Sequence, residues 1–196
     1  MGIKLQGHTL RDILEGHEAA FRASFGPEPI RLLEQITEQM VQAFKRGSKI
    51  LLCGNGGSAA DAQHIAAEFV GRFKRERRSL PAIALTTDTS VLTALSNDYS
   101  YETVFARQVE GLGQKGDILI ALSTSGTSKN VIEAVKRAKE MGLIVVGCTG
   151  QTGGELKKLA DFNFAAGSTK TPHVQEMHIT ALHAISEAVE DALFPA

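Results

Sequence analysis

Two stretches of this chain join residue types that could do chemistry to turns that could present them. In the first, Gly54-Asn55-Gly56-Gly57-Ser58 follows the apolar run Ile50-Leu51-Leu52-Cys53. The run reads as a buried parallel strand, and the glycines force a turn in which Asn55 and Gly56 are free to take positive φ. Ser58 then opens a helix whose first N–H groups face the turn, which makes an anion site. Farther along, Asp61, His64 and Glu68 stand at i, i+3 and i+7 and share one stripe of that helix. An imidazole and carboxylates on one face can hold a cation or move a proton, although a His–Glu pair at i, i+4 is also a common solvated pair. The rest of the helix (Ala59, Ala60, Ala62, Ala66, Ala67) is small, which suits close packing beside a site.

The second stretch is Ser123-Thr124-Ser125-Gly126-Thr127-Ser128, after a predicted strand over 117–122 that is apolar from Ile118 onward. Hydroxyls, backbone N–H groups and the start of the next helix can together surround an oxyanion. Gly126-Thr127-Ser128-Lys129 has the wrong order for a nucleotide-binding P-loop, so a compact phosphate monoester fits better than a nucleoside triphosphate. Asn97-Asp98 lies in the connection after the second strand, at the same end of the sheet. The pair suits a polyol, or is an ordinary turn.

The elements that must position these residues alternate. Leu10, Ile13, Leu14, His17 and Phe21 form a helical stripe over 9–25, ended by Pro27 and Pro29. A second stripe of Ile30, Leu33, Thr37, Met40, Val41 and Phe44 closes at Gly47. Strands are predicted at 49–53, 82–85, 117–122, 143–147 and 161–164. Helices are predicted at 58–73, 128–141, 153–160 and about 171–193, with short ones around 91–95 and 101–111. Continuous apolar strands alternating with helices predict an α/β fold: a doubly wound parallel five-stranded sheet with helices on both faces, preceded by two N-terminal helices. The expected organisation is one domain over 1–196, with N-terminal helices in 1–47 and the α/β core in 48–196. The long stripes of the two leading helices are expected to cover the sheet or to pack on another subunit.

Composition narrows the function. The 196 residues carry a formal net charge of −1, which gives no global field for nucleic acid. The basic run Arg72-Phe73-Lys74-Arg75-Glu76-Arg77-Arg78 falls where the core helix should end and is expected to be a solvated C-terminal turn meeting the helix dipole. Cys53 and Cys148 lack metal-site spacing and read as small buried residues. No apolar stretch approaches the ~20 residues of a membrane span, and no signal peptide is visible, so the expected location is cytoplasmic.

The motifs Gly54–His64, Thr86-Thr87-Asp88, Asn97-Asp98-Tyr99, Ser123–Gly126 and Gln175-Glu176-Met177-His178, in this order, resemble the phosphoheptose isomerases of the sugar isomerase (SIS) domain family. The resemblance covers nearly the whole chain. It implies a ketose–aldose isomerase that interconverts sedoheptulose 7-phosphate and D-glycero-D-manno-heptose 7-phosphate through an enediol. That reaction is the first step toward the heptose of lipopolysaccharide. It further implies zinc on His64, Glu68, Gln175 and His183, and an acid/base pair of Glu68 and His183 with Asp61 nearby. Asn55, Gly56, Gly57, Glu68, Asn97, Asp98, Ser123, Thr124, Ser125, Ser128 and Gln175 would hold the sugar phosphate. The implied assembly is a homotetramer with sites at subunit contacts.

Spacing sets a condition on this ligand set. Eight residues separate Gln175 from His183, ~12 Å of rise on one helix, so Gln175 must sit on a non-helical entry after Pro172 or a ligand must come from another subunit. His173, expected exposed, and His178, a core or interface candidate, compete for the role. His8 and His17 read as surface or packing residues. Two further readings are a non-catalytic paralogue that binds the bacterial replication initiator protein, and a sugar-phosphate-sensing module of the kind found in transcriptional regulators. Glu68 and Asp61 favour the enzyme over the first, and no helix-turn-helix accompanies the chain to support the second.

Overall fold

The computed structural model describes residues 9–195; His8 lies outside them. Two helices lead, α1 (Leu10–Ser24) and α2 (Pro27–Lys45). The body then runs β1 (Ile50–Cys53), α3 (Gly57–Val70), β2 (Ala82–Ala84), α4 (Thr89–Asp98), a 3₁₀ turn and α5 (Val104–Leu112). It continues through β3 (Ile118–Ser123), α6 (Lys129–Glu140), β4 (Ile144–Thr149), α7 (Leu156–Leu159), β5 (Phe162–Ala165) and α8 (Thr171–Leu193). Each predicted strand is present, and all pair in parallel in the order β2-β1-β3-β4-β5.

Strand alternation splits the core in two. Ile50, Leu52, Ile118, Ile120 and Leu122 face one layer with residues of α2, α3 and α8. Leu51, Cys53, Leu119 and Ala121 face the other, with α5 and α6. Both faces of the strands are therefore apolar, which is why they read as unbroken hydrophobic runs. The chain leaves β1 toward β2 on one side, while β3 lies on the other. The neighbouring carboxyl ends of β1 and β3 thus form a topological switch point, where open α/β sheets place their ligands.

Several local expectations change. In α2 the core side is Leu33, Ile36, Met40, Val41 and Phe44; Ile30 is exposed and Thr37 only half-buried. On α1 the side chains of Leu10, Ile13, Leu14 and Phe21 stay exposed. The Ser96-Asn97-Asp98 corner is the last turn of a ten-residue helix, whose N-cap Asp88 accepts from Val91 N–H. α3 ends at Val70, so the basic run is an irregular segment. Arg77 does meet the helix end, donating to the carbonyls of Glu68 and Phe69, but its side chain is only 2% exposed.

Candidate active site

At the switch point lies a cavity of about 320 Å³ with three walls. The turn after β1 and the start of α3 give Asn55, Gly56, Gly57 and Ser58; the end of β3 and the loop after it give Leu122, Ser123, Thr124 and Ser128; the start of α8 gives Thr171 and Gln175. Among the described residues, no Lys or Arg lines it. Attraction for an anion comes instead from the helices that begin at its walls: α3 at Gly57, α6 at Lys129 just after Ser128, and α8 at Thr171. Several of their first-turn N–H groups are already taken, those of Ser58 and Ala59 by the Asn55 and Gly56 carbonyls and that of Val131 by Asn130 Oδ1, so the positive ends of the helix dipoles supply the partial positive charge.

The turns are built for this. Gly56 takes φ 58°, which only glycine accepts readily; Asn55 does not, since no described non-glycine residue has positive φ. The Asn55 amide is held instead by its side chain, which exchanges bonds of 2.9 Å with the buried amide of Asn130 and accepts from the Tyr101 hydroxyl at 2.9 Å. Helix α3 starts one residue earlier than expected, with Gly56 at its N-cap and Ser58 buried. In the hydroxyl loop, Ser123 Oγ accepts from Gly126 N–H and lies 2.9 Å from Ser128 Oγ. Ser125 is exposed, receives bonds from Thr127, and does not line the cavity.

Farther along α3 and α8, three donor atoms converge. His64 Nε2 lies 2.9 Å from His183 Nε2 and 3.2 Å from Glu68 Oε1, and all three groups fall within 4.8 Å of one another. Two imidazole nitrogens facing each other can share at most one proton between neutral rings, so a lone pair is left pointing into the cluster. Burial, then the adjacent His64, push the His183 pKa down, against Glu68, which favours the neutral ring a metal needs. On α3, Asp61 has one carboxylate oxygen that is buried without a hydrogen-bond partner, and burial raises its pKa against the opposing pull of His64. Two nitrogens and a carboxylate oxygen within 4.8 Å of one another fit a borderline cation such as zinc.

Other expected residues lie elsewhere. α8 is helical from Thr171, so Gln175 stands on the helix, not on an entry segment. Its amide reaches the turn after β1: a Cβ on Gly57 would sit 2.3 Å from Gln175 Nε2. Within this chain Gln175 therefore belongs to the polar cavity. Asn97 and Asp98 are exposed, bonded to each other, and do not line it. His173, expected exposed, is 7% exposed and rests against the His17 ring, whose Nδ1 pairs with Glu176. His178 is a core residue: burial drives its pKa down to about 4, and its Nε2 donates to the Thr149 carbonyl.

Sequence reasoning missed Asn130, Tyr101 and Thr171. Asn130 carried a signal, a polar residue in register with the buried Ala134 and Ala138 of an amphipathic helix. Tyr101 and Thr171 carried none, because distant segments bring them to the cavity.

The SIS domain family model matches residues 25–150. A phosphoheptose isomerase of Roseiflexus sp. (strain RS-1) is 58% identical over 163 residues, 83% of each chain. One from Campylobacter concisus (strain 13826) is 50% identical over 186 residues, 93% of this chain and 96% of that relative. The solved phosphoheptose isomerase of Neisseria gonorrhoeae superposes with a TM-score of 0.84 at 43% identity, covering 93% of this chain and all of that one.

Proposed function

The chain belongs to the SIS-domain family, among its phosphoheptose isomerases, and we propose that it interconverts sedoheptulose 7-phosphate and D-glycero-D-manno-heptose 7-phosphate. One observation supports this most. The polar cavity at the starts of α3 and α8 and the His64–Glu68–His183 cluster lie on the same two helices. From Gly57 to His64 the rise is ~10 Å, and from Gln175 to His183 ~12 Å. An extended sugar phosphate of several carbons bridges such a gap, with its phosphate in the cavity and its reacting carbons at the cluster.

In this reading Ser123, Thr124 and Ser128, with the Gly56 and Gly57 backbone, hold the phosphate, Ser125 supports that loop from outside the cavity, and Asn55 and Gln175 hold the sugar. Asn97 and Asp98 hold further hydroxyls in a homotetramer that also covers the exposed stripe of α1. Binding energy at the phosphate then positions C1 and C2. Glu68 takes the C1 proton and returns it to C2, while His183 moves the hydroxyl proton from O1 to O2; Asp61 stands beside them. A zinc ion held by His64, Glu68 and His183, with Gln175 supplied from another subunit, would polarise the substrate oxygens. We place the protein, as one domain over 1–196, in the cytoplasm, at the first step of heptose supply for lipopolysaccharide. Among the described residues no helix is long and apolar enough to cross a membrane.

Assay of the purified protein against a panel of ketose phosphates, with and without chelator, tests the proposal. Turnover should be highest on the seven-carbon phosphate and fall with the chelator. His64→Ala and His183→Ala should lower zinc content and activity together. Glu68→Gln should cut kcat far more than it raises KM. Parental turnover in Glu68→Gln would remove its role as base. A folded tetramer inert toward the whole panel would favour the initiator-binding reading instead.

A further inference from the structure

The irregular segment after α3 is not a passive linker. Its anchor is Glu190, on α8, whose side chain is 2% exposed. One carboxylate collects three successive backbone N–H groups, from Phe73 (2.9 Å), Lys74 (2.8 Å) and Arg75 (2.7 Å), and a fourth bond from Arg77 Nε at 2.8 Å. Burial alone would raise its pKa, but those four donors outweigh it and hold the carboxyl at about 2.

Two arms leave this anchor toward the cluster. The Arg77 guanidinium bonds the carbonyls of Glu68 (2.8 Å) and Phe69 (2.9 Å), among the last of α3, which have no partner within the helix. That fixes the turn of α3 carrying Glu68 against α8. The Phe73 ring, placed by the Glu190-bound backbone, lies 5.7 Å from the His183 ring, tilted by 34°. The His183 imidazole is thus in contact with two rings, Phe73 and His64, the second packing edge-on at 5.0 Å.

We infer that Phe73, Arg77 and Glu190 are positioning residues that fix Glu68 and His183 relative to each other, so that α3 and α8 present one preformed donor set. The inference rests on the proposed role of those two residues. Groups that orient ligands without touching the metal typically change affinity by about 10- to 100-fold.

The test measures zinc affinity of the full-length protein by competition with a chromophoric chelator, alongside inorganic phosphate affinity by calorimetry and the melting temperature. Phe73→Leu keeps an apolar side chain but removes the ring. It should weaken zinc binding by about 10-fold, leave phosphate affinity unchanged and stay folded; Phe73→Tyr should restore the affinity. Glu190→Gln, which keeps the shape but not the charge, should move zinc affinity the same way. If it fails to fold, the Phe73 pair still decides. Folded Phe73→Leu with parental zinc affinity overturns the inference alone, and loss of zinc and phosphate binding together reduces it to a general structural effect. A parent that binds zinc through His64 and His183 but isomerises no ketose phosphate would sink the proposed function and leave the positioning intact. A parent that binds no zinc overturns both.

Discussion

Replacing Gly57 with alanine separates the site from the fold more cleanly than removing a ligand does. Gly57 is the first residue of α3 and is absent from the positive-φ glycines, so its backbone accepts a side chain without strain. The three atoms nearest the added Cβ all belong to the end of Gln175: 2.3 Å to Nε2, 2.9 Å to Cδ and 3.0 Å to Oε1. A flexible terminus can swing away, so stability should hold, helped slightly by alanine's better helix propensity. What is lost is the placement of one amide in the polar cavity. A neutral hydrogen bond contributes ~0.5–1.5 kcal/mol net, so kcat/KM for the sugar phosphate should fall by roughly 2- to 13-fold. Steady-state kinetics and a thermal melt measure both quantities. Gln175→Ala should lose a similar factor, and Gly57→Ala combined with Gln175→Ala should be little worse than either alone, because both remove the same contact. Parental kcat/KM in Gly57→Ala, or additive losses in the pair, would refute the reasoning.

At Gly126 the same substitution should have the opposite outcome. This glycine sits at φ 70° with a Cβ position 2.1 Å from the Gly153 carbonyl oxygen, which is backbone and cannot rotate away. Left-handed strain of ~1–2 kcal/mol and overpacking of ~1–3 kcal/mol should lower the melting temperature by roughly 5–15 °C in calorimetry. Glu190 predicts an acid response. Its carboxyl is held at about 2 against an ordinary 4.5, so below pH 4.5 the unfolded chain takes up the proton first. Its contribution is complete above pH 4.5 and drains away as pH falls through 2. Denaturation curves of the parent and Glu190→Gln should therefore converge over that window, and a gap that stays constant from pH 6 to 2 would contradict it.

The sequence by itself determined the layer order and the places where chemistry could occur. Ile50–Cys53 and 118–122 are apolar at every position because each strand is covered on both faces, and burial of that kind is written residue by residue. The glycine turn and the hydroxyl loop were legible for a similar reason: backbone freedom at Gly56 and the start of a helix after Ser128 are local properties. His64 and Glu68 share a face by helical period alone, so their pairing at 3.2 Å was open to inspection in advance.

Tertiary structure decided which distant residues join them. His183 meets His64 only because α3 and α8 pack on the same face of the sheet, and Gln175 reaches Gly57 only because α8 begins at the switch point. Arg77 shows the limit most clearly. A run of arginines and lysines reads as solvated because burying a lone charge costs several kcal/mol, and Glu190, more than a hundred residues away in sequence, offsets that cost together with the carbonyls at the end of α3. Periodicity and turn chemistry report on neighbours along the chain. A buried charge, or an imidazole lacking a partner in its own helix, is explained only by a neighbour that folding supplies.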